Sequence, residues 1–304
     1  MSNPRNFAPV GFGWELLKGN ALNRLRVAGA EELLGAGGAL IDATGRQALS
    51  GAPLLLAAQA TRAHHTFETV IAAARMGRGV QAAMLNRALL EDVLSIHWTA
   101  EHPKQAPDRA EEHDRLIALA EHDLDDKFGR VDRPLTDEER EELQKLIKLY
   151  GGARKAFRAP WHRTDTGDCF ELVKKRWRDE PDAGPALDYI YEGIQRRNNL
   201  FLHSSPTAFR QTIAIDASGK RQLNRVGPDT RWSQSLRQGA GGYYLVCRVL
   251  PEEFDLDRQP IVDAFVTTTA YCRSPDEFPD LAALPDDAPC PCGSGRSAGD
   301  CHRS

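Results

Sequence analysis

Apolar residues recur at intervals of three and four along most of this chain of 304 residues. This spacing places them on one face of an α-helix, so it predicts amphipathic helices. The clearest stripe ends at Gly77 and Gly79 and consists of Leu56, Ala60, Ala63, Phe67, Val70 and Ala74. The stripe of the next helix, predicted from about Val80 to Ala100, consists of Val80, Met84, Leu94 and Trp98. The fold is therefore expected to be mainly α.

Later segments continue the helical pattern. One helix is predicted after Pro107, and another opens at Thr136, where Glu139 is a capping-box partner, and runs to about Phe157. The remaining predicted helices are 165–178, about 230–250 (weakened by its run of glycines at 239–242) and 259–273. Alternation at 211–216 and 221–226 predicts paired strands. We therefore predict a helical bundle with a small β-hairpin.

Composition divides the chain into four parts. Residues 1–50 carry Gly and Ala with weak periodicity and predict a loosely packed N-terminal arm with one or two short helices. Residues 51–273 form the predicted helical domain. Residues 274–289 are a linker rich in Pro and Asp, and residues 290–304 hold a cysteine cluster.

The overall charge limits the classes of partner. With 39 basic and 43 acidic side chains, the net charge is -4, which argues against a whole-surface grip on nucleic acid and leaves room for a local basic patch. No signal peptide and no apolar run of eighteen residues is seen. We expect a cytoplasmic protein without a membrane span.

Three of the six cysteines lie in the last fifteen residues, in the run Cys290-Pro-Cys292-Gly-Ser-Gly-Arg-Ser-Ala-Gly-Asp-Cys301-His302. Three thiolates and an imidazole can close a tetrahedral zinc site, with sulfur about 2.3 Å from the metal. The run resembles the SEC-C motif, the zinc-binding tail of the SecA translocation motor and of many unrelated bacterial proteins. The resemblance implies a structural Zn2+ held by Cys290, Cys292, Cys301 and His302, and partner docking through the tail. The alternative is a set of unpaired surface cysteines.

The second stretch with chemical potential runs from Leu187 to His203 and is closed by Pro206. Apolar residues at Leu187, Ile190, Ile194 and Phe201 predict an amphipathic helix, and its end carries Arg196, Arg197, Asn198, Asn199 and His203. An arginine beside an imidazole suits phosphate-ester chemistry, because guanidinium fits phosphate geometry and imidazole has an ordinary pKa near 6.5.

The spacing Arg197-Asn198-x4-His203 resembles the signature of the HEPN superfamily, helical proteins that include many toxin and antiphage ribonucleases. The resemblance implies metal-independent RNA cleavage in stress response or phage defence, with sites that meet across a homodimer. His203 would take the 2′-hydroxyl proton, Arg197 or Arg196 would hold the phosphate, and Asn198 would orient the other groups. The stretch also fits a set of uncharacterised bacterial helical proteins with an Arg-Leu-Leu-Glu type helix, whose place Arg87-Ala-Leu-Leu-Glu91 would fill as a supporting pair.

Helix geometry leaves the identity of the clamp open. On a straight α-helix Arg197 and His203 lie about 120° apart, whereas Arg196 and His203 share a face about 10 Å apart. Either the helix loosens near Leu202, before Ser204-Ser205-Pro206, or Arg196 is the clamp. The structural alternative is an ordinary polar helix end: the arginines reach water, the asparagines cap the helix and His203 bonds a carbonyl. That alternative favours a non-enzymatic helical interaction protein that docks on protein or RNA through its zinc tail.

Other chemistries have little support. His64-His65 with Glu68 suggests metal, but the paired Glu-x-x-His motif of di-iron bundles is absent. Phosphate-loop, Rossmann and α/β-hydrolase motifs are absent as well. Trp161-His162-Arg163 could stack on a base and touch a phosphate, although packing is the simpler interpretation.

Overall fold

The computed structural model describes residues 21–131, 133–157, 159–178, 183–198, 213–215, 221–223 and 232–271. Its helices are α1 (Ala21–Gly45), α2 (Gly51–Arg75), α3 (Gly79–Glu101), α4 (Ala106–Lys127), α5 (Asp137–Leu149), α6 (Ala153–Ala156), α7 (Thr166–Arg176), α8 (Ala183–Glu192), α9 (Trp232–Cys247), α10 (Val249–Phe254) and α11 (Gln259–Tyr271). A π-helical segment, Gly193–Asn198, follows α8 directly. The predicted mainly helical class is confirmed. None of the described helices combines the length and apolarity needed to cross a bilayer.

A short antiparallel pair of strands, β1 (Ile213–Ile215) and β2 (Arg221–Leu223), interrupts the helices. Ile213 pairs with Leu223 and Ile215 with Arg221. The pair lies in the segment where alternation predicts a hairpin.

The described residues form two compact units. The first comprises 21–48, 57–93 and the described residues from Trp177 onward, and the second comprises 49–56 and 94–176. Helices α2 and α3 contribute to both units.

Helix α9 is the centre of the first unit. Trp232 and every residue from Ser235 to Cys247 except Arg237 are buried. The glycines expected to weaken this helix are contact points instead. A Cβ on Gly242 would lie 3.3 Å from the Leu89 side chain, and one on Gly241 would lie 2.8 Å from Ile190. The glycines therefore let α3 and α8 approach the α9 backbone closely.

The N-terminal arm differs from the prediction. Residues 21–45 form one helix of 25 residues rather than one or two short, loosely packed ones. Leu25 and Leu33 are fully buried, and the Thr268 hydroxyl on α11 donates to the Gly29 carbonyl at 2.7 Å. Weak apolar periodicity predicted loose packing. The packing is close instead, because Gly and Ala allow a close helix interface here.

The second unit has its own apolar core, which consists of Leu116, Leu119, Leu135, Leu143, Tyr150 and Ala156. The capping box that opens α5 is confirmed: the Glu139 N–H donates to Thr136 Oγ1 at 3.2 Å, and the Thr136 N–H donates to the Glu139 carboxylate at 2.9 Å. The predicted end of this helix near Phe157 is wrong. Gly151 and Gly152 adopt positive φ angles of 86° and 93°, a backbone region that stops α5 at Leu149.

Candidate functional site

The arginines and asparagine of the candidate site lie on an unusual piece of backbone. Arg196, Arg197 and Asn198 belong to the π-helical segment that follows α8, in which hydrogen bonds join residues five apart. His203 and the predicted loosening near Leu202 lie outside the described residues. The regular α-helix has already ended at Glu192, so the straight-helix geometry assumed from the sequence does not hold at the arginines.

The π-helical segment is anchored on its inner side. Gly193 is buried and Ile194 is fully inaccessible to solvent. A Cβ on Gly193 would lie 2.7 Å from Nε2 of Gln238 on α9, and Gln238 is 2% exposed. The start of the segment is therefore held in direct contact with the central helix.

Arg87 and Glu91 on α3 form an ion pair. Arg87 Nη1 lies 2.9 Å from Glu91 Oε1, one helical turn away. The arginine side chain is 17% exposed and the glutamate side chain 59% exposed, so Arg87 is the inner member of the pair.

Asn86, the neighbour of Arg87, attaches this turn of α3 to α9. Its side chain is fully buried, and Nδ2 donates to the Ser235 carbonyl at 2.7 Å. Its Oδ1 finds no hydrogen-bond partner among the described residues, but it lies 2.8 Å from where a Cβ of Gly239 would be. The absence of a side chain at Gly239 lets the oxygen approach the α9 backbone.

These contacts bring two predicted parts of the site to one level of α9. The Arg87 turn of α3 reaches α9 at Gly239, and the π-helical segment reaches it at Gln238. Consecutive residues of an α-helix are about 1.5 Å apart along its axis. The two predicted motifs, far apart in sequence, therefore contact α9 at consecutive residues, on faces about 100° apart around its axis.

A buried carboxylate six residues beyond Asn86 on α3 was not predicted from the sequence. Asp92 is 1% exposed, and its Oδ1 accepts a hydrogen bond from Nε of Arg62 on α2 at 2.6 Å. Burial raises the pKa of Asp92 to about 6 although Arg62 opposes that shift. Asp92, Asn86 and Gln238 act across helices, so no local pattern marks them. The only sequence signal is polar character on otherwise apolar faces.

The loop Trp161-His162-Arg163 is part of the packing of the second unit. Trp161 meets the Trp98 side chain edge-on with 5.3 Å between ring centroids, and His162 stacks on Trp98 at 5.4 Å. Arg163 forms an ion pair with Glu112 at 2.9 Å. The packing interpretation therefore accounts for all three side chains.

A cysteine–histidine pair in this unit is buried. Cys169 Sγ lies 3.7 Å from His162 Nδ1, but burial raises the pKa of the thiol to about 12. A thiol with that pKa is not a nucleophile near neutral pH.

His64, considered as a metal ligand with His65 and Glu68, is engaged in packing: its Nδ1 lies 2.7 Å from the Tyr243 hydroxyl. Within the part of the chain that the structure describes, no group of three or more His, Cys, Asp or Glu side chains could hold a metal ion. Cys290, Cys292, Cys301 and His302 lie outside the described residues.

One family of known proteins matches this chain. The family described as "Family of unknown function (DUF5677)" matches residues 54–221, more than half of the chain. This chain belongs to the DUF5677 family. The DUF5677 region contains Arg87, Glu91, Arg197 and His203, and it ends before α9 and the cysteine tail. No curated protein and no solved structure matches the chain.

Proposed function

We propose that the helical domain is a metal-independent endoribonuclease of HEPN type that acts as a homodimer in stress response or phage defence. His203 takes the proton of a ribose 2′-hydroxyl, whose oxygen attacks the adjacent phosphorus. The bond from phosphorus to the 5′-oxygen breaks, which leaves a 2′,3′-cyclic phosphate, and the 5′-oxygen leaves as a hydroxyl after taking a proton from water, while His203 returns its proton to solvent. Arg197 or Arg196 stabilises the charge on the phosphoryl oxygens, and Asn198 orients the phosphate.

The observation that carries this proposal is the shared attachment on α9. The Arg87 turn contacts Gly239 through Asn86, and the segment with Arg196, Arg197 and Asn198 contacts the preceding residue, Gln238. A helix end with a purely solvent-facing role needs no such joint anchoring. A π-helical segment is also uncommon and is frequently found at functional sites.

Full-length protein incubated with tRNA or total RNA in the presence of a chelator tests the proposal. Wild type and a His65→Ala control, altered at an exposed histidine, are expected to cleave RNA, whereas His203→Ala should be inactive. A dimer by light scattering is expected alongside cleavage. If all three proteins are inactive on every RNA tried, the ribonuclease proposal is refuted.

We also propose that the cysteine tail holds one structural zinc, since its four ligands leave no open position for catalysis. The order Cys-x-Cys-Gly-Ser-Gly followed by Cys-His supports this assignment. The tail would stabilise itself around the metal and present a small docking element.

A second candidate function is a non-enzymatic interaction protein, in which the helical domain binds a partner and the tail docks on protein or RNA. The observation in its favour is an apolar groove of about 650 Å³ in the second unit, lined by Ile117, Leu124, Leu143, Ile147 and Phe157 among others. Leu124 is 55% exposed and Phe157 52% exposed, and such surfaces often contact partners. Inactivity on RNA together with retained zinc would favour this candidate.

A further inference from the structure

The π-helical segment begins at a residue that contacts a buried side chain of α9. Helices leave regular α geometry where a side chain inserts against their backbone. Gln238 of α9 is the side chain in that position, because its Nε2 lies 2.7 Å from the point where Gly193 would carry a Cβ. The regular α-helix ends at Glu192, immediately before this contact.

Both members of the contact are suited to it. Gln238 is 2% exposed and therefore fixed in the core, and Gly193 is buried and has no side chain to keep the amide away. Two residues further on, Gln195 Oε1 is buried and finds no hydrogen-bond partner among the described residues.

We propose that Gln238 is a positioning residue: pressed against Gly193, it holds residues 193–198 in the π conformation and so sets where Arg196, Arg197 and Asn198 fall around the helix. A π turn accommodates one more residue than an α turn. Return to α geometry would move the following residues by about one helical position, roughly 100° around the axis and 1.5 Å along it. A displacement of that size takes an arginine away from a phosphate.

The geometric half of this proposal stands alone, whereas its effect on RNA cleavage rests on the proposed function. Crystal structures of full-length Gln238→Ala and of a control, Gln234→Ala, test the geometric half. Gln234 lies one turn earlier on α9 and is half-buried. We expect α geometry at 193–198 in Gln238→Ala and an unchanged π segment in Gln234→Ala. A π segment that persists in Gln238→Ala overturns the proposal.

Gly193→Ala gives a second, independent variant in case Gln238→Ala folds poorly. Its methyl group meets the Gln238 amide, so hydrogen exchange at amides 193–198 should increase. The double variant Gly193→Ala/Gln238→Ala should restore slow exchange, because the methyl then has space. Fast exchange in both the single and the double variant, or in neither, would contradict the proposed role of the contact between Gln238 and Gly193.

RNA kinetics test the functional half. If wild type cleaves RNA, Gln238→Ala should lose about a hundredfold in kcat with KM little changed, since misplacement by about 1 Å is enough for such a loss. Gln238→Met keeps a side chain of similar size at this position, so it should recover most of the rate. An unchanged kcat in a Gln238→Ala protein with an α-helical segment would overturn the positioning role. If wild type does not cleave RNA, the ribonuclease proposal fails. The crystal structures still test whether Gln238 holds residues 193–198 in the π conformation.

Discussion

The Tyr243 hydroxyl of α9 occupies the space in which a side chain at Gly37 of α1 would have to lie. This hydroxyl also meets His64 Nδ1 at 2.7 Å, and the Tyr243 ring stacks on Phe67 with 4.7 Å between centroids. Gly37 therefore fits α1 against the core of the first unit, although glycine inside a helix ordinarily weakens it.

Alanine substitutions in α1 should separate these two roles of glycine. Gly37→Ala should lower the free energy of unfolding by about 1–3 kcal/mol, because the methyl group collides with a buried tyrosine. Gly35→Ala should raise it by up to about 1 kcal/mol, since a Cβ at exposed Gly35 meets nothing within 4 Å and alanine favours the helix. Urea unfolding of both variants measures the difference. A Gly37→Ala protein as stable as Gly35→Ala would contradict the packing described for Tyr243.

Asp92 should make the protein more stable in mild acid. Its pKa is about 6 in the folded state and 3.8 ordinarily, so the folded state binds the proton first as the pH falls. The stability contributed by this group therefore rises between pH 7 and 4, by about 1 kcal/mol from pH 7 to 5. Asp92→Asn should remove that increment from the unfolding free energy. Glu91→Gln, which alters the adjacent and mostly exposed carboxylate, should keep it. An increment of equal size in Asp92→Asn would show that another group titrates.

His162, in contrast to Asp92, should make the protein less stable in mild acid. Burial lowers its pKa to about 4, with Arg109 and His102 adding to the shift, and its Nδ1 accepts the Thr164 N–H at 3.2 Å as a neutral ring. The unfolded state therefore takes the proton first, and stability is lost as the pH falls from 6.5 to 4. The expected loss from this group between pH 7 and 5 is about 2 kcal/mol. Denaturant titrations of wild type and His162→Gln at both pH values measure it, and the variant should lose less than wild type does. Parallel losses in the two proteins would exclude His162 as the source.

The zinc proposal predicts about one metal ion per chain by elemental analysis of protein purified without chelator. Cys290→Ser and Cys292→Ser should each lose the metal, because a tetrahedral structural site does not tolerate a missing thiolate. Cys272→Ser, which lies outside the motif, should retain it. Metal-free wild type, or full zinc content in both tail variants, would rule out the site.

Much of the fold follows from local pattern, and much of the site does not. The α5 capping box was predictable because Thr136 and Glu139 satisfy each other within one turn. The Arg87–Glu91 pair was predictable because residues four apart meet on a helix. Asn86 and Gln238 were not, since their partners Ser235 and Gly193 are brought to them only by tertiary packing. The glycines of α1 and α9 were interpreted wrongly from the sequence. They allow close contact between helices, whereas the pattern alone predicted a loosely packed arm and a weakened helix.

The central position of α9 affects the order in which the first unit can form during synthesis. Helices α1 to α3 emerge from the ribosome long before Trp232–Cys247, so the faces that α9 covers stay open until that helix has been translated. The second unit is drawn almost entirely from the continuous stretch 94–176 and can complete its core earlier. Gln238, which holds the arginine-bearing segment, is likewise among the later residues made. The proposed nuclease would therefore acquire the geometry of its arginine-bearing segment only after Gln238 had been translated, about forty residues after that segment.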